Sequence, residues 1–253
     1  MPHYYDEFDY PKFWQNRRYE HESELICLSR IFSLLPHLET TTLAEIGSGF
    51  GRLSPFYLPK VKNALLVEPS FDMRTLSQTY LSDFHNFSLI DGDSQNTHIK
   101  EGSVDTVLSI RVFHHLEHPD PTIAEFSRIL KPQGHLILEF ANKNHFKNTI
   151  KALLAGSNPS LQTDEPLCRK SVKSSSTITF VNHNPNCIIN LLKNTGFSLS
   201  RVYSVSNFRS SLFKKALPLP VLLFLERTTQ SLLGRLFYGP SLILLAQKTT
   251  GRK

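Results

Sequence analysis

The segment Glu45-Ile46-Gly47-Ser48-Gly49-Phe50-Gly51-Arg52 follows a short apolar stretch. Glycine adopts backbone angles closed to other residues and has no Cβ, so glycines at alternate positions let a chain turn sharply against a ligand. A dinucleotide-binding loop reads GxGxxG, and its third glycine permits close helix–strand packing below a bound pyrophosphate. Position 52 is arginine, whose bulk opposes that packing. Glu68 lies 21 residues beyond Gly47. A carboxylate there can accept hydrogen bonds from both hydroxyls of a ribose, which suits an adenosine cofactor or NAD alike. A further acid, Asp93, stands in Asp91-Gly92-Asp93-Ser94, with Asp91 as the neighbouring alternative. Arg111, His114 and His115 form the last group. An imidazole titrates near neutrality and can act as a base. The planar fork of Arg111 suits an acceptor carboxylate or phosphate, unless it pairs with Glu117 or Asp120.

The elements that must position these groups follow from hydrophobic periodicity. Residues 11–35 read as a helix, with Leu25, Ile26, Leu28, Ile31, Phe32 and Leu35 at helical spacing and Pro36 as the stop. Strands are expected at 43–46, 64–67, 87–90, 104–110 and 135–140. Helices are expected at 72–80, capped by Ser70 or Asp72, and at 121–130. Residues 131–134 read as a turn, and 155–177 as a polar loop or insertion. Further on, 186–195 reads as a helix ended by Gly196, and 197–205 as a strand. Residues 212–237 read as one or two helices broken by Pro218 and Pro220, and 241–247 as a last strand. Alternating strands and helices joined by short turns make a parallel sheet covered on both faces. Its carboxyl edge gathers the loop at 45–52, Glu68, Asp93 and the segment from 110 onward.

Five blocks in this order are similar to class I S-adenosylmethionine-dependent methyltransferases of the type 11, quinone-biosynthesis-methyltransferase-like family. They are the glycine loop, Glu68, the Asp93 turn, Ser103-Val104-Asp105-Thr106-Val107-Leu108-Ser109 with Val112-Phe113-His114-His115-Leu116, and Glu125-Phe126-Ser127-Arg128-Ile129-Leu130-Lys131-Pro132-Gln133-Gly134. Gln133 replaces the family's usual glycine. The resemblance covers about residues 40–141 and fits the flanks loosely. It implies a Rossmann-like sheet of seven strands, mostly parallel, in the order 3-2-1-4-5-7-6 with the last strand antiparallel. It places Glu45 near the methionine amino group of S-adenosylmethionine, Glu68 at the ribose and Asp93 beside the adenine amino group. Gly47, Ser48, Gly49, Gly51, Pro69, Ser94 and Ile110 complete the expected cofactor contacts. A GxGxG turn after an acid also suits a cofactor that has no phosphate. Residues 110–115 border the transferred methyl in this family. Its members share histidine at the His115 position across different chemistries, which favours a structural role there.

The expected organisation is one domain over 1–253: a helical cap to 39, a cofactor core over 40–141, and an acceptor-side region over 142–253. The expected function is in-line methyl transfer to a small-molecule or lipid-like acceptor. The alternatives are a methyltransferase acting on nucleic acid or protein, and a cofactor-binding protein without catalysis. Residues 1–140 carry a net charge of −7 and residues 141–253 of +13. The basic half, with its apolar clusters, suggests peripheral contact with anionic membrane through 208–238. Residues 1–14 have no apolar core, so no signal peptide is read there. The longest apolar run is too short to span a bilayer, so the expected location is cytoplasmic, with or without peripheral membrane contact. Cys27, Cys168 and Cys187 show no CxxC pairing and read as reduced thiols. His114, His115 and His118 lack an HExxH frame, so no metal is expected. The fourth strand ends in Ser-Ile-Arg-Val rather than [DNS]PP[YF], which argues against nucleic acid as the acceptor. His183 stands in the arm that could cover the site.

Overall fold

The computed structural model describes residues 10–154, 156, 166–173 and 176–250. The acidic aromatic stretch up to residue 9, and the loop expected at 155 and 157–165, lie outside them. Two helices, α1 (Tyr10–Gln15) and α2 (Arg18–Phe32), occupy the single helix expected over 11–35. The helix is broken at residues 16–17, and Trp14 of α1 lies under the guanidinium of Arg52. No periodicity argument detects such a break, because the apolar pattern begins only at Leu25, inside α2.

Strands β1 (Thr42–Ile46), β2 (Asn63–Val67), β3 (Phe87–Ile90), β4 (Val104–Ser109) and β5 (Leu130–Ala141) run parallel to one another. Strands β6 (Leu167–Lys173) and β7 (Ser176–Asn182) form a separate antiparallel hairpin. The main sheet closes with β8 (Phe197–Val205) and β9 (Ser241–Lys248), β9 lying antiparallel between β5 and β8. Its order is β3-β2-β1-β4-β5-β9-β8. Counting only the strands of this sheet, that is the expected 3-2-1-4-5-7-6. Over 167–173 and 176–177 the hairpin stands where a loop or insertion was expected; residues 174–175 lie outside the described residues. The segment's polar composition masked a β-branched run, Thr177-Ile178-Thr179, of the kind that favours strands. The turn expected at 131–134 is a bulge within β5. Pairing jumps from Val104↔Leu130 to Thr106↔His135, and Gln133 takes a left-handed φ of 66°.

Helices α3 (Ser54–Tyr57), α4 (Phe71–Tyr80), α5 (Asp120–Ile129), α6 (Phe146–Leu154), α7 (Pro185–Asn194), α8 (Ser211–Ala216) and α9 (Leu219–Arg235) complete the described elements. Ser70 caps α4 by accepting from Met73 N, and Gly196 follows α7 with a φ of 86°. Pro220 lies in the first turn of α9 and does not break it, because proline lacks only an N–H that this turn leaves unpaired anyway. Leu242, Leu244 and Ala246 of β9 join one core with Phe126, Ile188 and Leu192. Ile243 and Leu245 join the other with Leu28, Ile31 and Tyr57. Side chains alternate across a strand, so the apolar run of β9 feeds both cores. Each fully buried aliphatic side chain there contributes about 2 kcal/mol. The two cores fix the carboxyl edge of the sheet, where the site lies.

Candidate active site

The glycine loop leaves β1 and folds over the end of β2. Gly47 N and Ser48 N both donate to Val67 O, at 2.9 and 3.1 Å. Gly47, Gly49 and Gly51 all have positive φ. A Cβ on Gly47 would lie 2.3 Å from Val112 Cγ2, so the loop after β4 presses on this glycine. A Cβ on Gly49 would meet nothing within 4 Å. The space beside Gly49 is open and faces a cavity. A Cβ on Gly51 would strike Leu81 and Ser77, so this glycine serves packing and does not line the cavity.

Glu68 is 5% exposed. One carboxylate oxygen accepts from Gly49 N at 2.9 Å and the other from Ser70 N at 3.0 Å. It therefore ties the glycine loop to the start of α4. Glu45 is 3% exposed and accepts from Tyr57 Oη at 2.5 Å and Ser54 Oγ at 2.9 Å. Burial pushes its carboxyl up to about 7 despite those two donors. Asp93 is exposed at the cavity's rim, and one of its oxygens accepts from Gln95 N and Asn96 N. Asp91, the alternative, is instead held by Arg74 at 2.9 Å.

The loop after β4 is anchored at Arg111, which has a φ of 65°. That conformation costs a non-glycine residue about 1 kcal/mol. Its N–H donates to Glu139 Oε2 at 2.9 Å, and its Nε donates to Glu24 Oε1 at 2.7 Å. Arg52 donates to the other oxygen of Glu24 at 2.7 Å. Glu24 is fully buried. Burial opposes its ionisation, yet Arg111 and Arg52 together hold its carboxyl below the usual range. Both guanidinium groups lie over Trp14, at 3.7 Å for Arg52 and 5.3 Å for Arg111. Arg111 was expected to meet an acceptor anion, or else Glu117 or Asp120. Its fork is occupied by Glu24, because α2 brings a buried carboxylate within reach.

His114 stacks on Phe180 of β7, with ring centroids 4.8 Å apart, and touches His115. Burial pushes His115 down to about 4 and His114 well below its usual value. Both rings are neutral at pH 7, and His115 is a weak base. His183 is buried, its Nε2 3.0 Å from Phe113 O, so it braces the turn after β4. Among the described residues no group of three His, Cys, Asp or Glu could hold a metal ion.

These elements enclose a cavity of about 760 Å³, within the range of small-molecule sites. Glu45, Gly47, Ser48, Gly49, Glu68, Pro69, Asp93, Ser94, Ile110, Arg111, His114 and His115 all line it. Of the residues expected at the site, Gly51 alone does not. Sequence reasoning did not place Tyr10, Phe13, Trp14, Arg17, Phe180 and Arg209 at the site, yet they line it too. Only Trp14, the chain's one tryptophan, carried a usable signal.

The family model described as "Methyltransferase domain" matches residues 44–138, the segment that supplies the loop, Glu68, Asp93 and the β4 end. Residues 44–138 are thus similar to a methyltransferase domain. An uncharacterized methyltransferase of Bacillus mycoides (strain KBAB4) is 31% identical over 113 residues, which is 43% of this chain and 52% of that protein. The chain spans about half the length of the curated relatives it matches. A SAM-dependent methyltransferase structure from Thermotoga maritima superposes with a TM-score of 0.60 at 19% identity, over 95% of each chain. An S-adenosylmethionine dependent methyltransferase from Mesorhizobium loti gives 0.58 at 14% identity, over 87% of this chain and 96% of that one. These structures share the fold of the methyltransferase domain and extend the likeness through β8 and β9.

Proposed function

We propose that this chain transfers the methyl group of S-adenosylmethionine to a small-molecule or lipid-like acceptor. The observation that carries this proposal is the pairing, in one cavity, of three acids with an open glycine cradle. Glu45, Glu68 and Asp93 line the end at the glycine loop. Beside them Gly49 leaves room that a Cβ would fill, and Ser48 Oγ is buried with no partner among the described residues. In the bound state Glu45 would face the cofactor's ammonium, Glu68 its ribose hydroxyls and Asp93 its adenine amino group. Ser48, Pro69, Ser94 and Ile110 would complete the contacts. The cofactor supplies a methyl group already activated as a sulfonium.

The protein's part is then to bind, align and exclude water, and alignment alone can lower a barrier by several kcal/mol. Trp14, Phe13 and Phe180 present an apolar wall to the acceptor. His114 and His115 line the cavity as neutral rings. No helix of the described residues is long and apolar enough to cross a membrane. Leu212 and Phe224 are 73% and 64% exposed on α8 and α9, near Lys215 and Arg227. This pattern supports docking of the 208–238 region on anionic lipid.

Calorimetric titration with S-adenosylmethionine, S-adenosylhomocysteine and NAD tests the cofactor. Only the first two should bind, and binding of NAD alone would overturn the assignment. Incubation with radiolabelled S-adenosylmethionine and lysate fractions should move label into a small-molecule or lipid fraction. Label in nucleic acid or protein would redirect the acceptor class. Flotation with anionic liposomes should carry the protein upward at low salt, and its failure there would remove the docking proposal.

A further inference from the structure

We propose that Arg17 and Arg209 form an anion-binding subsite at the acceptor end of the cavity, so that the acceptor is an apolar or aromatic molecule bearing a carboxylate or phosphate. This rests on the methyl-transfer proposal and narrows its substrate class.

The cations around the cavity fall into two groups. Arg52 and Arg111 are committed to the buried carboxylate of Glu24. Lys214 is committed to Glu20, which it holds through both oxygens at 2.7 and 2.9 Å. Arg17 and Arg209 also line the cavity, yet neither has a carboxylate partner among the described residues. Arg17 comes from the break between α1 and α2. Its guanidinium lies 4.1 Å from the ring centroid of Phe13, which braces it without neutralising it. Arg209 comes from the loop between β8 and α8, beside Ser210. Desolvation by the surrounding protein lowers its pKa although the residue is exposed at the surface, and the positive charges of Arg111 and Arg17 add to the effect, against the opposing pull of Glu20 and Glu139. Like charges crowded in this way attract an anion.

Glu45, Glu68 and Asp93 line the cavity with the glycine loop, where a cationic nucleoside fits. Glu20 lines it too, but Lys214 holds that carboxylate. Arg17 and Arg209 line the same cavity without a carboxylate partner among the described residues. The rings of Tyr10, Phe13, Trp14 and Phe180 also belong to the cavity wall. A planar guanidinium binds carboxylate and phosphate through paired hydrogen bonds, whereas the rings take an apolar body. The function first assigned to Arg111 thus passes to two residues that have no carboxylate partner among the described residues.

Trp14 is the only tryptophan, so intrinsic fluorescence reads this cavity directly. The probes are 4-hydroxybenzoate, decanoate and decyl phosphate, with methyl 4-hydroxybenzoate and methyl decanoate as neutral counterparts. At least one anion should quench or shift Trp14 emission and bind tenfold or more tightly than its neutral counterpart. Comparing decanoate with decyl phosphate separates a carboxylate from a phosphate preference. Arg209→Gln and Arg17→Gln should each weaken that anion about tenfold while leaving the affinity for S-adenosylhomocysteine unchanged. Equal binding of anion and ester, no anion binding by the wild type, or unchanged affinity in both variants would overturn the subsite. Weakened S-adenosylhomocysteine binding with unchanged anion binding would give the arginines to the cofactor's own carboxylate and overturn it as well. Failure of the methyl-transfer proposal has a different signature: anions bind with the stated arginine dependence, but neither S-adenosylmethionine nor S-adenosylhomocysteine does.

Discussion

Arg111 closes onto Glu24, 87 residues earlier in the chain, with Nε 2.7 Å from Oε1. The same carboxylate holds Arg52 at 2.7 Å through its other oxygen. One buried acid on α2 therefore joins the loop after β1 to the loop after β4, and Trp14 covers the junction. The helical segment before the sheet is a wall of the site as well as a cap on the fold.

Replacing Glu24 with Gln should expose the cost of that arrangement. Removing one partner from a buried ion pair leaves an uncompensated charge and costs about 3–5 kcal/mol. Urea denaturation of Glu24→Gln should show a loss in that range, together with weaker cofactor binding because both loops lose their tie. A loss below about 1 kcal/mol would mean that the pair behaves like an exposed one.

Gly47 and Gly49 should fail in different ways. Gly47→Ala drives a Cβ into Val112 at a φ of 74°, so it should destabilise the fold by roughly 2–4 kcal/mol. Val112→Ala in the same chain should restore part of that loss. Gly49→Val places its side chain in open space at a φ of 56°. It should keep native circular dichroism and lose S-adenosylmethionine binding. Wild-type affinity in Gly49→Val would remove the loop from the cofactor site.

Glu45 sets a pH dependence with a definite sign. Its folded carboxyl sits at about 7 against an ordinary 4.5. Below 4.5 both folded and unfolded states hold the proton. Between 4.5 and 7 only the folded state keeps it, so stability falls as pH rises through that window, by roughly 3 kcal/mol in all. The difference in urea stability between wild type and Glu45→Gln should grow in favour of the variant from pH 4.5 to pH 8. Pairing with the cofactor's ammonium requires the ionised form. Cofactor binding below pH 7 should therefore release a proton, measurable by calorimetry in buffers of different ionisation enthalpy. A pH-independent difference between the two proteins would refute the buried-acid account.

His114 and His115 should leave little trace in the rate profile. With His115 at about 4 and His114 well below its usual value, methyl transfer should show no histidine inflection between pH 6 and 8. His115→Asn should cost less than tenfold in kcat. A positioned general base contributes about 10²–10⁴-fold, so a loss of that size, with an inflection near 6.5, would restore His115 to catalysis.

Alternation of apolar strands with amphipathic helices was enough, in the sequence alone, to place Gly47, Gly49, Glu68 and Asp93 at one edge of one sheet. A strand that turns at a glycine delivers its next residues to that edge whatever surrounds them. The apolar run of β9 was also legible, because such a run must be buried on both faces. Only the tertiary structure decided what Arg111 binds, which rings face the acceptor and which arginines stay unpaired. Trp14, Phe180 and Arg209 reach the cavity from three separate stretches of chain. Periodicity shows which face of a helix is buried. It carries no information on which buried charge meets which, because that depends on how α2 packs across the sheet and on a break after Gln15 that leaves no mark in the apolar pattern.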